Sequence, residues 1–535
     1  MKKLVSRFMA VLMAMVMILS MSMTAFAADA PKGTLTVNNT VAGKTLDLYQ
    51  IFTATKSGDN VAYTLNSAYE GFFKNNTRIS GSESLTGEAL SEAAYNYVKT
   101  QVGPNGDAKT AKTFAKDMLG WILDSNNKIT ATKTVETTAT STQISDLAYG
   151  YYLVYPKGAT DTSTAPGNQT YTSAASLVSV TDTTVTINMK SNYPTVVKKV
   201  NNKNADDVNI GDEVTYTLTS KVPDMTGYTS YVFNFKDTLS AGLTFKEITS
   251  VTVGDTTINK VEAGHEENNT YTLTQDGQKI TITMNNFLAS NANKAGKEIK
   301  VTYTATLNKD AVTGFNPNTN KATVEYSNKP GTDDKGESEP SKVDVHTFNF
   351  TIFKYYLKDA AKTGLANAEF ELYKANDKVA GDKVNIKKVT EGEYRVATSE
   401  EAAAGGFKSD VIVSGNNGKV LVKGLDAGTY YLRETKAPEG YNKLLSDIKV
   451  EIKANYDPVT QKLTSYTVTY TYNNVTNSST SNSAETSPEV PVENKTGAQL
   501  PSTGSKGALM VTLAGIVLFG ALTASKAFGK KKAKN

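Results

Sequence analysis

Most of the chain alternates apolar and polar residues with a period of two. The pattern is clear in three well-separated stretches, at 214–218, 299–307 and 468–472. Successive side chains of a β-strand point to opposite faces, so this alternation predicts half-buried antiparallel strands. Their short, regular spacing favours β-sandwich domains and a mainly β protein.

A helical period is concentrated near the N-terminus. Residues spaced three and four apart lie on one side of a helix, and apolar residues there form a face that packs on a core. One such face comprises Leu90, Ala93, Ala94, Tyr97 and Val98, and another comprises Phe114, Met118 and Ile122. The first domain is therefore predicted to be mixed, with two or three helices beside its sheet.

The two ends of the chain carry signals for export and for membrane insertion. Residues 1–27 have a short basic start, a core rich in Met and Leu, and a small-x-small site ending at Ala27, which indicates a secretory signal peptide. Near the other end, the apolar stretch 507–525 is long enough to cross a bilayer as a helix. Lysines at 530–532 and 534 stay cytoplasmic by the positive-inside rule, which leaves the preceding segment outside the cell.

Composition limits the function. A chain of 535 residues is expected to hold about three domains, and the absence of cysteine means that no disulfide stabilises it outside the cell. With only two histidines and no cysteine, the usual nucleophile-base and zinc sites cannot be assembled, so no enzyme, cofactor or metal site is expected. The net charge of +4 comes partly from segments that are removed and offers no case for nucleic-acid binding.

A short motif precedes the apolar stretch. The run Leu500, Pro501, Ser502, Thr503 and Gly504 resembles the LPXTG sorting signal of Gram-positive surface proteins. Pro501 keeps Leu500 extended, a shape that suits an enzyme groove. The resemblance implies that a sortase cleaves after Thr503 and transfers its carbonyl to an amine through a thioester. A simple C-terminal membrane anchor is the alternative for residues 500–535.

Residues 346–477 resemble a Cna B-type immunoglobulin-like domain. The likeness rests on the run 364–372, which fits L-x-x-A-x-F-x-L, and on 434–441, which fits E-T-x-A-P-x-G-Y. In that family a lysine on the first strand and an asparagine on the last form an intramolecular isopeptide bond. The resemblance implies Lys354 and Asn474 as that pair, with Glu434 as the promoting acid and Asn473 as the alternative asparagine.

Residues 191–345 resemble the second domain of fimbrial backbone subunits. The likeness rests on the segments 194–200, 210–216, 237–245 and 320–328. It implies a second isopeptide bond between Lys198 and Asn320, with Asp237 as the promoting acid. Lys199 is the rival lysine, because a shift of one residue along a strand reverses the face that a side chain occupies.

Burial explains why such bonds use these residue types. Among aromatic side chains the charged forms are disfavoured, so the amine becomes neutral and nucleophilic and the acid stays protonated and polarises the asparagine carbonyl. The first domain, 28–190, is expected to lack such a bond. Its segment 147–153 echoes 425–432 of the third domain, but Tyr155 stands where the third domain has Glu434.

Together the resemblances imply the shaft subunit of a sortase-assembled pilus, secreted and covalently attached to the cell wall. Thr503 would be joined to Lys190 of the next subunit. Lys190 lies at the joint before the middle domain but follows Asn188 and Met189 in place of the usual Tyr-Pro, whereas Lys157 follows a literal Tyr-Pro and is the alternative.

The implied partners are a class C sortase for polymerisation, a housekeeping sortase for wall attachment, identical subunits, accessory pilins, peptidoglycan, and a host or bacterial surface ligand. The alternative function is a monomeric wall-anchored adhesin or an accessory pilin at the base or tip. Residues 478–499, rich in Ser, Thr, Pro and Asn, are predicted to form a disordered stalk. Such a stalk is short for a monomeric adhesin, which favours the polymer.

Overall fold

The structure is a computed structural model that describes residues 31–103, 108–161, 175–189, 191–328 and 330–496. These residues form two compact units. The first unit comprises the described residues up to Thr347 together with the segment Tyr456–Thr464. The second unit comprises Phe348–Asn455 and the described residues from Ser465 onward. The predicted signal peptide, the sorting signal at 500–535 and Lys190 lie outside the described residues. Within the described part of the chain, every helix is too short or too polar to cross a membrane.

The described part of the first domain contains two main sheets, a two-stranded pair of β7 and β10, and three helices. A three-stranded sheet has the order β5-β1-β9, and a second sheet has the order β3-β2-β6-β8 with β4 also paired to β2. Its strands are β1 (Lys32–Asn38), β2 (Thr45–Ser57), β3 (Asn60–Leu65), β4 (Lys133–Glu136), β5 (Ser141–Ala148), β6 (Gly150–Pro156), β7 (Thr160–Asp161), β8 (Ser176–Val180), β9 (Thr184–Asn188) and β10 (Ser191–Asn192). Its helices are α1 (Glu70–Phe73), α2 (Gly87–Val102) and α3 (Ala108–Leu123).

The predicted helical faces of this domain are confirmed. Leu90, Ala94 and Val98 are buried on α2, and Met118 and Ile122 are buried on α3. The helices begin where the alternation of strand residues stops, and their apolar stripe covers one side of the sheet. The prediction of a mainly β protein with helices in the first domain is therefore correct, although the described residues of the middle and third domains each add one helix of five residues.

The middle domain is a sandwich of two larger sheets. One has the order β11-β13-β20-β15-β16, and the other has the order β12-β23-β21-β14-β19-β18-β17 with β22 paired to β21. Its strands are β11 (Val197–Val200), β12 (Ala205–Asp207), β13 (Glu213–Lys221), β14 (Phe233–Leu239), β15 (Leu243–Val253), β16 (Thr256–Thr257), β17 (Asn259–Lys260), β18 (Thr270–Asp276), β19 (Lys279–Met284), β20 (Glu298–Leu307), β21 (Asn318–Ser327), β22 (Lys335–Glu337) and β23 (Ser341–His346), with one short helix, α4 (Phe287–Asn291).

The first and middle domains meet closely within the first unit. Gly158 has a φ of +74°, and a Cβ added there would lie 2.4 Å from Oδ1 of Asn328. Nearby, the Lys44 amine donates to the Tyr326 hydroxyl at 2.9 Å. Only glycine meets both demands at position 158, since it tolerates positive φ and leaves room for the facing asparagine.

The third domain is also a sandwich. One sheet has the order β25-β24-β31-β29-β28 with β36 paired to β24, and the other has the order β27-β26-β32-β33-β34-β35 with β30 paired to β26. Its strands are β24 (Phe348–Lys358), β25 (Ala361–Gly364), β26 (Glu369–Asn376), β27 (Val379–Lys383), β28 (Ile386–Thr390), β29 (Glu393–Val396), β30 (Ile412–Val413), β31 (Lys419–Leu425), β32 (Gly428–Lys436), β33 (Ile448–Tyr456), β34 (Leu463–Tyr472), β35 (Val475–Ser481) and β36 (Glu489–Glu493), with one helix, α5 (Ser399–Ala403).

The predicted stalk at 478–499 needs correction. Strand β35 forms an antiparallel hairpin with β34, and β36 pairs in parallel with β24, the first strand of the domain. Val490 and Val492 of β36 are fully or almost fully buried. Pro491 is accommodated because β36 lies at the edge of its sheet, where a missing N–H costs no ladder hydrogen bond. The folded domain therefore extends well past 477.

The internal repeat has a structural counterpart. The hydroxyl of Tyr152 on β6 donates to the carbonyl of Ala148 at 2.7 Å. In the same way, the hydroxyl of Tyr430 on β32 donates to the carbonyl of Asp426 at 3.0 Å. In both strands the tyrosine returns to the backbone four residues upstream and fixes how the chain enters the strand.

Candidate functional site: two buried lysine, acid and asparagine clusters

The first cluster lies between the two sheets of the middle domain. Lys198 is on β11 of one sheet, whereas Asp237 on β14 and Asn320 on β21 belong to the other. Asp237 pairs with Ala322, so Asn320 stands two residues away on the neighbouring strand and on the same face. All three predicted residues are at most 1% exposed. The fold brings them together in the core.

The register of β11 decides between the two candidate lysines. Val197 is 53% exposed, Lys198 is buried and Val200 is fully buried, as alternation requires. Lys199 faces the other way, and its amine donates to Oδ1 of Asn204 at 2.5 Å. Lys199 therefore does not enter the cluster, and Lys198 does.

A tyrosine hydroxyl links the members of this cluster. The Lys198 amine donates to Asp237 Oδ2 and, at 2.6 Å, to the hydroxyl of Tyr303. That hydroxyl in turn donates to Asp237 Oδ2 at 2.8 Å and accepts from Asn320 Nδ2 at 2.7 Å. The Tyr303 ring stacks on Tyr216 with centroids 5.1 Å apart. The sequence analysis missed Tyr303, because a tyrosine in an alternating strand is indistinguishable from an ordinary core residue.

Burial controls the charges of this cluster. Loss of solvent lowers the pKa of Lys198 from its usual value, although the neighbouring Asp237 opposes the shift. Loss of solvent likewise raises the pKa of Asp237, against the effect of the lysine and of the Tyr303 hydroxyl. Both shifts favour a neutral amine beside a protonated acid. Asp237 Oδ1 and Asn320 Oδ1 are buried without a hydrogen-bond partner among the described residues.

The second cluster lies in the third domain. Lys354 on β24 and Glu434 on β32 are fully buried at their side chains, with the amine 2.9 Å from Oε1 of the acid. Phe370 lies beside them, its ring centroid 5.8 Å from the amine. Burial lowers the pKa of Lys354 to about 8, and the adjacent Glu434 partly offsets that shift. The lysine and the acid that the resemblance implies therefore lie side by side.

The asparagine of this cluster is Asn494. It is 2% exposed, and its Nδ2 donates to Glu434 Oε2 at 3.1 Å and to the Asn442 carbonyl at 2.9 Å. Because β36 runs parallel to β24, with Lys354 opposite Val492, the residue just past β36 arrives beside the lysine. Asn494 Oδ1, like its counterpart in the middle domain, is buried without a hydrogen-bond partner in the described part of the chain.

Asn474 and Asn473 need correction. Both lie in the exposed turn between β34 and β35, with φ values of 64° and 50°. Residues Tyr472 and Val475 on either side pair with each other, so the two asparagines form the turn of a tight hairpin. The left-handed conformation, which asparagine tolerates well, explains their presence there. Neither residue reaches the buried amine.

The first domain holds a different ion pair. The Lys157 amine lies 3.1 Å from Asp47 Oδ2, and the two side chains are 14% and 9% exposed. Asp47 also accepts from the Thr134 hydroxyl at 2.5 Å. Tyr155, which replaces the third domain's acid, is buried, and burial raises its pKa well above the usual value. Lys157 is therefore held against a carboxylate and is not freely exposed.

Two segments match known protein families. Residues 210–330 match the family described as Gram-positive pilin backbone subunit 2, Cna-B-like domain. The middle domain is therefore similar to a domain of Gram-positive pilin backbone subunits. Residues 352–467 match the SpaA family, described as a prealbumin-like fold domain. These matches confirm the resemblance to Gram-positive pilus subunits, and the matched families are structural rather than enzymatic.

Individual relatives agree with the family matches. The chain is 28% identical over 309 residues to the trypsin-resistant surface T6 protein of Streptococcus pyogenes serotype M6, covering 52% of this chain and 48% of the relative. It is 27% identical over 264 residues to the fimbrial subunit type 2 of Actinomyces naeslundii, covering 46% and 48%. The chain thus spans about half the length of these curated relatives.

One solved structure aligns with most of the chain at low similarity. The T6 backbone pilin of serotype M6 Streptococcus pyogenes aligns with a TM-score of 0.43 at 19% identity, covering 80% of this chain and 83% of that one.

Proposed function

We propose that this protein is the shaft subunit of a covalently polymerised Gram-positive pilus, secreted and anchored to the cell wall, and stabilised by two intramolecular lysine-asparagine isopeptide bonds. The observation that carries the proposal is the pair of fully buried lysine, acid and asparagine clusters. A buried lysine beside a buried acid is costly unless it serves a purpose, because both groups lose their hydration. An amide bond to asparagine leaves no amine to be protonated on the lysine, and the acid can then stay buried in its protonated, neutral form.

The proposed chemistry is a single condensation in each domain. The neutral lysine amine attacks the side-chain carbonyl of asparagine, ammonia leaves, and an amide remains. In the middle domain the bond joins Lys198 to Asn320 with Asp237 as the acid. A proton on Asp237 Oδ1 that is shared with the Asn320 carbonyl oxygen would satisfy both buried oxygens and polarise the carbonyl. In the third domain the bond joins Lys354 to Asn494 with Glu434 as the acid.

The proposed polymer uses the sorting signal. A class C sortase would cleave after Thr503 and transfer its carbonyl to a lysine of the next subunit, and a housekeeping sortase would attach the last subunit to peptidoglycan. Lys190 is the preferred acceptor, since the alternative, Lys157, is mostly buried against Asp47. The ordered strands that reach Glu493 also leave little chain for a stalk before Leu500, which suits a stacked shaft better than a monomeric adhesin.

The polymer is tested with protein released from the native cell wall by peptidoglycan digestion. The expected result is a ladder of oligomers, with a branched peptide that joins Thr503 to Lys190. A Lys190→Arg variant should abolish the ladder, and a Lys157→Arg variant, which keeps the ion-paired charge, should preserve it. A wild-type monomer that carries peptidoglycan on Thr503, with both lysines unmodified, would instead establish a wall-anchored adhesin or accessory pilin.

A further inference from the structure

The two clusters differ in how the acid reaches the asparagine. In the third domain, Glu434 Oε2 accepts directly from Asn494 Nδ2 at 3.1 Å. In the middle domain, the acid is an aspartate, shorter by one methylene, and among the described residues it forms no hydrogen bond to the Asn320 amide. The Tyr303 hydroxyl occupies that gap, at 2.8 Å from Asp237 Oδ2 and 2.7 Å from Asn320 Nδ2.

We propose that Tyr303 is a catalytic residue of the middle domain, which relays a proton from Asp237 to the leaving amide nitrogen of Asn320. The inference rests on the proposed isopeptide bond and adds a residue to its mechanism. Tyr303 touches both reacting groups, since its hydroxyl also accepts from the Lys198 amine at 2.6 Å. A hydroxyl that both donates and accepts can pass on one proton as it receives another.

Every proton is accounted for in the proposed condensation of Lys198 with Asn320. As the Lys198 lone pair attacks the Asn320 side-chain carbon, the proton on Asp237 Oδ1 passes to the carbonyl oxygen and Oδ2 takes a proton from the amine. When the tetrahedral intermediate collapses, Asp237 Oδ1 takes back the proton that it gave to the former carbonyl oxygen of Asn320. The proton on Oδ2 moves to Tyr303, which gives its own proton to Nδ2. The carbon–nitrogen bond breaks, ammonia leaves, and both Asp237 and Tyr303 end as they began.

The surroundings suit a relay. The ring of Tyr303 is fully buried and stacked on Tyr216, so the hydroxyl is held in place without side-chain reorganisation. Burial and the nearby acid raise the pKa of Tyr303 well above its usual value, so the hydroxyl stays protonated until it receives a proton in exchange. The third domain needs no such residue, because Glu434 already contacts the leaving nitrogen.

The test compares the two bonds within one chain. Cells that express the full-length protein receive a short pulse of isotope-labelled lysine. Peptide mass spectrometry then follows the Lys198–Asn320 and Lys354–Asn494 crosslinks during the chase. In Tyr303→Phe, the first crosslink should form at least about 100-fold more slowly, the usual size of a general acid-base contribution. The second crosslink is the internal reference and should keep its rate.

Two further proteins separate catalysis from packing. Tyr271→Phe removes the hydroxyl of another buried tyrosine of the middle domain, on β18, which forms no hydrogen bond or ring contact with Lys198, Asp237 or Asn320 among the described residues. This variant should crosslink at the wild-type rate. Difluorotyrosine at position 303 keeps the shape and the hydrogen bonds but makes the phenol a stronger acid. The first crosslink should then form faster, a change that a packing role would not produce.

The outcomes distinguish the inference from the proposed function. If wild-type protein never contains the Lys198–Asn320 crosslink, the proposed bond itself is refuted. If that crosslink forms at the wild-type rate in Tyr303→Phe, or if difluorotyrosine leaves its rate unchanged, the bond stands and the relay is overturned. Equal slowing in Tyr271→Phe also overturns it, since the effect would then follow from the loss of any buried tyrosine hydroxyl of the domain.

Discussion

The identity of the third-domain asparagine has the sharpest consequence. Replacement of Asn494 by alanine removes the carbonyl that the Lys354 amine would attack, whereas replacement of Asn474 changes only an exposed turn. Each bond releases one ammonia, so the wild-type mass should be two ammonia masses below the mass calculated from its sequence. The Asn494→Ala mass should be only one ammonia mass below its own calculated value, because one bond is lost. Asn474→Ala protein should keep both bonds. Intact-mass and peptide mass spectra measure this directly.

The stability change can be worked out from the length of the closed loop. A crosslink from Lys354 to Asn494 closes a loop of about 140 residues, for which the loop-closure model gives roughly 5 kcal/mol of stabilisation. In a domain of about 150 residues, 1 kcal/mol shifts Tm by about 2–4 °C, so the loss is expected to lower Tm by roughly 10–20 °C. Scanning calorimetry of the two variants beside the wild type measures the shift.

The control has its own small cost. Asn474 has a φ of 64°, and alanine is less favourable than asparagine in that region by about 1 kcal/mol. A drop of a few degrees with an unchanged mass is therefore expected for Asn474→Ala. The reasoning is refuted if Asn494→Ala retains the crosslink mass, or if Asn474→Ala is the variant that loses it.

Three further predictions follow from the described contacts. Asp237→Ala should abolish the middle-domain crosslink and leave the third-domain crosslink intact, as peptide mass spectrometry would show; an unaffected middle-domain bond would contradict the role of the acid. Gly158→Ala should destabilise the first unit by about 1–3 kcal/mol more than Gly58→Ala in denaturant unfolding, because both glycines have positive φ but only the first faces a neighbour, Asn328, at 2.4 Å; equal losses would exclude that contact. In uncrosslinked Asn494→Ala protein, Lys354 has a pKa of about 8 when folded and 10.5 when unfolded, so the unfolded chain binds the extra proton between these values. The free energy of unfolding should therefore rise as pH is raised from about 8 to 10.5, as measured by denaturant unfolding across that range. A free energy of unfolding that does not change with pH would show that the amine is solvated in the folded protein.

Local patterns predicted the residues that lie within recognisable segments. Alternation identified the strands, and the resemblance of the third domain to a known family indicated Lys354 and Glu434 as partners. The rivalry between Lys198 and Lys199 could not be decided from the sequence, because it depends on which face of β11 meets the core. Only the pairing of β11 with β13 fixes that choice.

The missed asparagine has a different cause. Strand β36 is held by parallel backbone pairing to β24, more than a hundred residues earlier, and nothing within 489–493 reveals that partner. Its proline and the polar residues before it are typical of a linker, so the predicted domain ends at residue 477. The buried Val490 and Val492 were the available signal, since alternating valines are unusual in a solvated stalk.

The distribution of the proposed bonds matches the path that tension would take through a head-to-tail polymer. Force would enter each subunit at Lys190 and leave at Thr503, so only the chain between these residues would carry load. That portion holds both clusters. The first domain precedes Lys190, so it would carry no load and would need no crosslink. In the third domain, a bond from Lys354 to Asn494 would bypass nearly every strand.

The middle domain is braced differently. Its proposed bond ends at Asn320 on β21, and the chain must still pass through β22 and β23 before it leaves the domain. Strand β23 is held to β21 by an antiparallel ladder from Asn318 opposite Val345 to Ala322 opposite Ser341, and to β12 by a parallel one. Those hydrogen bonds would be loaded without covalent support. The final strand of the middle domain is therefore the first element within the load path that tension would detach, while the core enclosed by the Lys198–Asn320 bond remains folded.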